Sequence, residues 1–335
     1  MGRRHGGGNA MKAVLLDEAG ASPRVGQVPV PEPGAGEIRV RLVASGINPV
    51  DGSLANGSNP HWQWPHVLGV DGAGIVDAVG DGVNDFEPGQ RVVFHGDLRR
   101  EGTFAEYVVT AADVVAHIPD SVTFTQAAAL PCAGMAAYQA LHRRLGIRAG
   151  QTILITGGAG AVGGFAIQLA KLAGARVIAT CSPNSAETVR AAGADVVVDY
   201  HGDVPAAVRD ATDGRGVDAV IDTVSEQSAT QNLSLLVFGG GLVAVAARPD
   251  LSAIAPFTTA PSVHEIALGA AHSHGDAAAR RDLAVMLEEL LALVADGKLD
   301  PQVRRVIAFD DVPEMLADAD ARHGRGKTIL AVASE

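Results

Sequence analysis

Cysteine is almost missing from this sequence: two residues in 335, Cys132 and Cys181. Two cysteines cannot build a disulfide framework, and they are too few for a four-cysteine metal lobe. Aromatic residues are scarce at 4%, so alanine, valine and glycine carry the apolar content. Basic residues are outnumbered, 26 against 38 acidic, for a net charge of −12. With no run of Lys and Arg, nucleic acid and an anionic membrane surface are poor partners. No stretch approaches the roughly 18 apolar residues that span a bilayer. The opening "MGRRHGGGNA" lacks the apolar segment of a secretory signal. Residues 1–10 are read as a disordered leader, and the cytoplasm is the expected location.

What is present is a hydrophobic content of 47% over a length that suits two domains. Up to about residue 125 the chain reads as β-rich. "EIRVRLVAS", "AGIVDAVG", "RVVFHG" and "FAEYVV" are short apolar runs bounded by glycine and polar turns. Near residue 124 the pattern changes to helical composition, with Thr123 or Thr125 as a cap. A strict alternation follows. Strands "QTILIT", "ARVIATC", "ADVVVDY", "GVDAVIDTV" and "GGLVAVAA" are separated by helices, the last of these being "SATQNLSLLV". Repeated β-α-β units with apolar strands predict a parallel sheet covered on both faces. Beyond residue 250 one amphipathic helix, with Leu283, Met286, Leu287, Leu290, Leu291 and Val294 on one face, precedes a strand-rich tail. That tail is too short for a domain of its own and is expected to return to the first.

The first β-α junction of the alternating region reads "ILITGGAGAVGG". Gly158, Gly160 and Gly163 fit G-x-G-x-x-G between a buried strand and a helix, the context that gives this pattern meaning. Gly158 is expected to allow the tight turn, Gly160 the approach of a pyrophosphate, and Gly163 the packing of helix on strand. The helix N-terminus would add partial positive charge. An NAD-selective site carries an acidic residue at the end of the next strand. Here Thr180, Cys181, Ser182, Pro183 and Asn184 stand there. No carboxylate repels a 2′-phosphate, and Ser182 and Asn184 can donate to one, so NADP(H) is the expected cofactor.

The segments "SGINPVDG", "GVDGAGIV", "GTFAEYVV", "ALPCAGMAAY", "TGGAGAVGG" and "GRGKTILA", in this order from Met11 onward, resemble the medium-chain dehydrogenase/reductase superfamily. The branch they resemble is that of the zinc-independent, zeta-crystallin-like quinone oxidoreductases. The resemblance implies an α/β fold. It consists of a GroES-like β-rich catalytic domain over 11–132, a doubly wound Rossmann domain with a parallel sheet over 133–268, and a C-terminal return over 269–335. Zinc members take metal ligands from three segments. In this chain Asn48 and Val70 fill two of those slots and only Cys132 remains at the third. No metal is expected.

The resemblance further places Gly160, Ala161 and Val162 at the pyrophosphate turn, Tyr200 and Arg322 near the adenosine phosphate, and Ala246 and Ala247 along the nicotinamide ribose. A lysine common after the second strand is absent, with Ala186 near its place. Without a metal to polarise an alcohol, the chemistry left is hydride delivery to an electrophilic carbon. Quinones and α,β-unsaturated carbonyls are the expected acceptors. Enoyl-thioester reduction, or NADPH binding with negligible turnover, are the alternatives. Asn48, Asp51 and His272 are the candidate catalytic residues, Asp51 being equally suited to capping a turn. His274, His61, His66 and His95 are weaker candidates on loops. Trp62 and Trp64 are taken chiefly as packing residues. A homodimer is expected, pairing through the last strand of the cofactor domain, read as "GGLVAVAA".

Overall fold

The computed structural model describes residues 9–57, 59–317 and 324–333. The chain forms two compact units. One combines Met1–Cys132 with Gly269–Glu335; the other is Ala133–Leu268.

The first unit carries β1 (Ala10–Leu16), β2 (Arg24–Pro29), β3 (Glu37–Ile47), α1 (Pro49–Asn56), β4 (His66–Val67), β5 (Asp71–Val79), β6 (Arg91–His95), β7 (Tyr107–Ala111), β8 (Ala116–His117) and α2 (Phe124–Ala128). After α2 the chain enters α3 (Pro131–Tyr138). β1 already begins at Ala10, inside the stretch read as a leader. α2 is capped by Thr123, whose hydroxyl accepts from the Gln126 amide while the Gln126 side chain accepts from the Thr123 amide.

The second unit alternates β9 (Thr152–Ile155), α4 (Ala161–Leu172), β10 (Arg176–Cys181), α5 (Ala186–Ala191), β11 (Val196–Asp199), α6 (Val204–Ala211), β12 (Val217–Asp222), α7 (Glu226–Asn232), β13 (Leu236–Ala244) and β14 (Ser262–Glu265). The chain then returns to the first unit with α8 (Ala270–Ser273), α9 (Ala277–Ala295), β15 (Val303–Ile307), α10 (Val312–Ala317) and β16 (Lys327–Ala331).

In the first unit, β15, β16, β3, β5, β6 and β8 follow one another across a sheet in which β7 also pairs with β3; β2, β1 and β4 form a second sheet. The C-terminal return therefore completes the sheet of the first unit. β16 lies antiparallel to β3, with Thr328 opposite Ile47. Val14, Leu16, Ile47, Trp62, Leu68, Phe104, Phe309 and Leu330 share its core. The apolar face of α9 is buried at Leu283, Met286, Leu287, Leu290, Leu291 and Val294.

The second unit holds a parallel sheet in the order β11-β10-β9-β12-β13-β14. β-rich and doubly wound parts thus give the α/β architecture read from the sequence. Three local expectations change. The helix expected over "SATQNLSLLV" stops at Asn232, and Leu236 already belongs to β13, because a 3₁₀ turn at 233–235 intervenes. The stretch leading to His274 is not all loop, since residues 270–273 form α8. β13, which contains "GGLVA", is not the last strand. β14 pairs with it in parallel from Gly241–Ser262 to Ala244–Glu265 and takes the edge. No helix among the described residues is long and apolar enough to cross a membrane.

Candidate active site and cofactor turn

Four strand ends meet in the first unit. The register sets Gly46 opposite Asp71, Asp71 opposite His95, and Ile47 opposite Thr328. Asn48, Asp51, Asp71, His95 and Lys327 are consequently all buried, none more than 3% exposed. Burying several charged groups is tolerated only when they are paired and hydrogen-bonded.

The Asp71 carboxylate is the hub. Its Oδ2 accepts from Asn48 Nδ2 at 2.8 Å and from the Cys132 amide at 3.1 Å, with Lys327 Nζ 3.7 Å away. Lys327 Nζ donates to Asn48 Oδ1 at 2.5 Å and to the Ile47 carbonyl at 3.3 Å. Asn48 Nδ2 also reaches the Gly46 carbonyl at 3.2 Å. Both ends of the Asn48 amide are thus engaged by protein groups, which makes Asn48 a clamp between Lys327 and Asp71. Gly46 is needed for this approach: a Cβ there would lie 2.4 Å from the Ala128 carbonyl oxygen.

Asp51 sits at the third position of α1, and its Oδ2 accepts from the Asn48 amide at 2.7 Å. Its other oxygen is buried without a partner. Burial, above all, pushes its carboxyl up to about 8, assisted by Asp71; the Asn48 amide and Lys327 pull the other way. At neutral pH this acid holds its proton. Cys132 is half-buried, and burial followed by the Asp71 charge drives its thiol far upward. A thiol held protonated is a poor nucleophile and a poor metal ligand.

His272, on α8, rests against His95, with the rings 6.2 Å apart and His272 Nε2 3.2 Å from the His95 carbonyl. Burial holds both below the usual histidine range. Arg99 fastens this corner by donating to the His272 carbonyl and, bidentate, to Asp97. His272 lines a cavity of about 220 Å³ together with Val70, Phe94, Asp97, Arg99 and Arg280. His274 points to Ser273 at the surface. His66 and His95 are not on loops: they lie in β4 and β6 and are buried. Trp62 stacks on His66 at 3.8 Å, as a packing residue should, whereas Trp64 is exposed.

The residues at the three ligand slots do not fit a zinc ion. Val70 has no donor atom, the Asn48 amide is used up, and the Cys132 thiol keeps its proton. Among the described residues no group of three or more His, Cys, Asp and Glu side chains is placed to hold a metal.

The second unit offers a different kind of site. Between β9 and α4 the backbone turns at Gly157, with φ +66°, so the glycine that the tight turn requires is Gly157 rather than Gly158. Gly157 and Gly158 donate to Thr180 Oγ1 and to the Thr180 carbonyl, at 3.2 and 2.8 Å, tying the turn to β10. Thr180 is therefore spent on the turn. Gly163 admits no side chain, since a Cβ would lie 2.3 Å from the Gly157 carbonyl oxygen. Gly160 caps α4 without any side-chain partner, and nothing but the Gly157 carbonyl comes within 4 Å of a Cβ built there. A helix of 12 residues thus begins behind an open glycine cradle, which fits a pyrophosphate.

Ser182 and Asn184 follow β10, Ser182 half-buried 3.3 Å from Ser185 and Asn184 exposed. Tyr200 is exposed just after β11. Ala161 and Val162 open α4, while Ala246 and Ala247 come just after β13. Arg322 lies outside the described residues. The nearby carboxylate of Asp222 is closed off, accepting from Val224, Ser225, Ser228 and Asn232.

Reasoning from sequence gave no role to Asp71 or Lys327. The signal was there: an acid inside "GVDGAG" and a lysine opening the apolar run "KTILAVA".

Two family models match the chain. Residues 34–120 match the model of the alcohol dehydrogenase GroES-like domain, and residues 161–287 that of the zinc-binding dehydrogenases. A quinone oxidoreductase of Pseudomonas aeruginosa is 32% identical over 304 residues, which is 89% of this chain and 92% of that protein. A chloroplastic quinone oxidoreductase of Triphysaria versicolor is 35% identical over 229 residues, 65% of this chain and 69% of that protein. The crystal structure of a quinone oxidoreductase of Pseudomonas syringae pv. Tomato superposes with a TM-score of 0.86 at 30% identity, covering 96% of this chain and 99% of that one. By its two matched domains, its fold and these relatives, the chain belongs to the medium-chain dehydrogenase/reductase superfamily, in its quinone oxidoreductase branch.

Proposed function

We propose that the protein is an NADPH-dependent, zinc-independent reductase of quinones or activated α,β-unsaturated carbonyls. The observation that carries this reading is the clamp at the ligand slots. Asn48, at one of those slots, is held on both sides by Asp71 Oδ2 and Lys327, and Val70 at the next has no donor atom. A site without a strong Lewis acid suits acceptors that delocalise incoming charge onto oxygen. NADPH, when bound, supplies the hydride. The residues of this chain do the rest. The Gly157–Gly163 turn and the first turn of α4 would hold the pyrophosphate, and Ser182 and Asn184 would receive a 2′-phosphate with no carboxylate on β10 to oppose it. Asp51, which keeps its proton to about pH 8, is the acid of the first unit, and His272 is a donor at the 220 Å³ cavity. A cytoplasmic homodimer is part of the proposal, with its pairing strand reassigned from β13 to β14.

The test is NADPH and NADH oxidation by the purified chain against quinones, enones and enoyl thioesters. Quinone- or enone-dependent oxidation with a lower KM for NADPH is the expected result. Preference for enoyl thioesters, or tight NADPH binding with no turnover on any acceptor, would overturn the reading.

A further inference from the structure

Beside the clamp lies a second, smaller enclosure that the proposed chemistry does not use. It is a cavity of about 10 Å³ lined by Asp51, Leu54, Trp62, His66, Leu68, Val70, Leu98 and Arg100 among others. One water molecule needs roughly 10–15 Å³ counted in this way, and polar partners around it. Two residues of that lining carry a buried, unpartnered polar atom, Asp51 Oδ1 and His66 Nδ1. Their residues are 1% and 2% exposed. Orphaned polar atoms at this depth are costly, and two of them on residues that line one water-sized space have a common remedy.

We propose that Asp51 Oδ1 and His66 Nδ1 hold a single water between them, and that this trio exchanges the proton of Asp51 with solvent. The step balances without an outside reagent. The O–H bond of Asp51 breaks as the water takes its proton, and the water passes another to His66 Nδ1, so one proton moves and no electrons do. The outlet is Glu101, whose Oε2 lies 3.6 Å from the same Nδ1 and whose side chain is about half exposed. The Val67 amide fixes that carboxylate at 2.7 Å. Trp62, stacked on the imidazole and held by its own Nε1 donation to the Leu98 carbonyl, keeps Nδ1 in place.

Charges face both ends of the path. Asp71 and Lys327 act on Asp51 with opposite signs, Glu101 lies beside His66, and Arg100 lines the same cavity. The resting distribution suits a reserve: burial keeps the imidazole neutral, down to about 4, and keeps Asp51 protonated up to about 8. His66 is here a positioning residue, since it acts on Asp51 only through the water.

The first test is a high-resolution crystal structure of the full chain. An ordered water within hydrogen-bond distance of both atoms supports the site, and a dry cavity overturns it. The second is a carbon-13 NMR titration of Asp51. His66→Phe keeps the stack on Trp62 but expels the water, which removes the one partner of Oδ1 in the charged state. The Asp51 midpoint should then rise by about one unit. His66→Gln, which retains a polar atom, should leave it near the wild-type value. A midpoint unmoved by His66→Phe would sink the proposal. Neither measurement depends on turnover, so failure of quinone reduction would leave this test intact.

Discussion

The polar knot of the first unit and the glycine turn of the second solve opposite problems. In the knot, side chains do everything. Asn48, Asp71 and Lys327 bind one another out of contact with water, through Asp71 Oδ2, while Asp71 Oδ1 keeps no partner. In the turn, backbone does everything. Gly157, Gly160 and Gly163 matter for the atoms they lack. A buried network tolerates no missing member, whereas the turn tolerates no added atom at Gly163. The first is sensitive to deletion, the second to insertion.

The largest expected effect follows from insertion. Gly163→Val puts a branched side chain against rigid backbone, with the first carbon already 2.3 Å from the Gly157 oxygen. NADPH binding, followed by calorimetry, should fall below detection while the circular dichroism of the chain persists. Binding within a few-fold of wild type would show that α4 shifts freely and would break the contrast.

Deletion comes next. Lys327→Met leaves the Asp71 carboxylate buried beside an amide but without its cation. Such a loss destabilises by about 3–5 kcal/mol, read from the denaturant midpoint. Adding Asp71→Asn should restore much of it, because the uncompensated charge is gone. A double variant no better than the single one would mean that Lys327 acts through packing.

Smaller effects sharpen the picture. Asp51 has a raised folded-state pKa, so between about 4 and its folded value of about 8 the native state holds more protons than the unfolded one. Stability should therefore fall with rising pH across that window. His66 has the opposite sign: its folded value of about 4 lies below the unfolded one, so its contribution is lost as pH falls from about 6.5 through 4. Asp51→Asn should flatten only the first slope, in urea titrations from pH 4 to 8; an unchanged slope would reassign it to another group. Ser182→Asp should weaken NADPH about tenfold relative to NADH by placing a carboxylate at the end of β10, with equal loss for both cofactors as the contrary result. Least affected is Cys132→Ala, for which near wild-type stability is expected. In the native chain Cys132 should react with alkylating reagents at pH 8 far more slowly than free cysteine, and rapid labelling would show a lower thiol pKa than burial implies.

How much of this was legible beforehand depended on whether a feature is local. The alternation from "QTILIT" onward reads out the parallel sheet because each strand and helix carries its own period. The G-x-G-x-x-G spacing marks the turn, although only coordinates show that the left-handed residue is Gly157, one position before the pattern starts. "SATQNLSLLV" misled because apolar residues of a 3₁₀ turn and a buried strand continued a helical composition. The clamp was out of reach for another reason. Asn48, Asp71 and Lys327 span 279 positions between first and last, and sheet register alone joins them. Asp51 was read as a cap or a site residue; it caps Asn48, and the enclosure that raises its pKa is made by α1, β4 and the segments around them.

Lys327 opens β16, so the charge that Asp71 requires is supplied by an element that follows the whole second unit in the chain. A chain growing from its N-terminus finishes the contiguous second unit at residue 268, well before that lysine exists. Until it arrives, the Asp71 carboxylate has no cation to pair with and is better left hydrated than buried. The maturation of the two units is thereby staggered: the second unit can be complete while the part bearing the clamp still waits for β16.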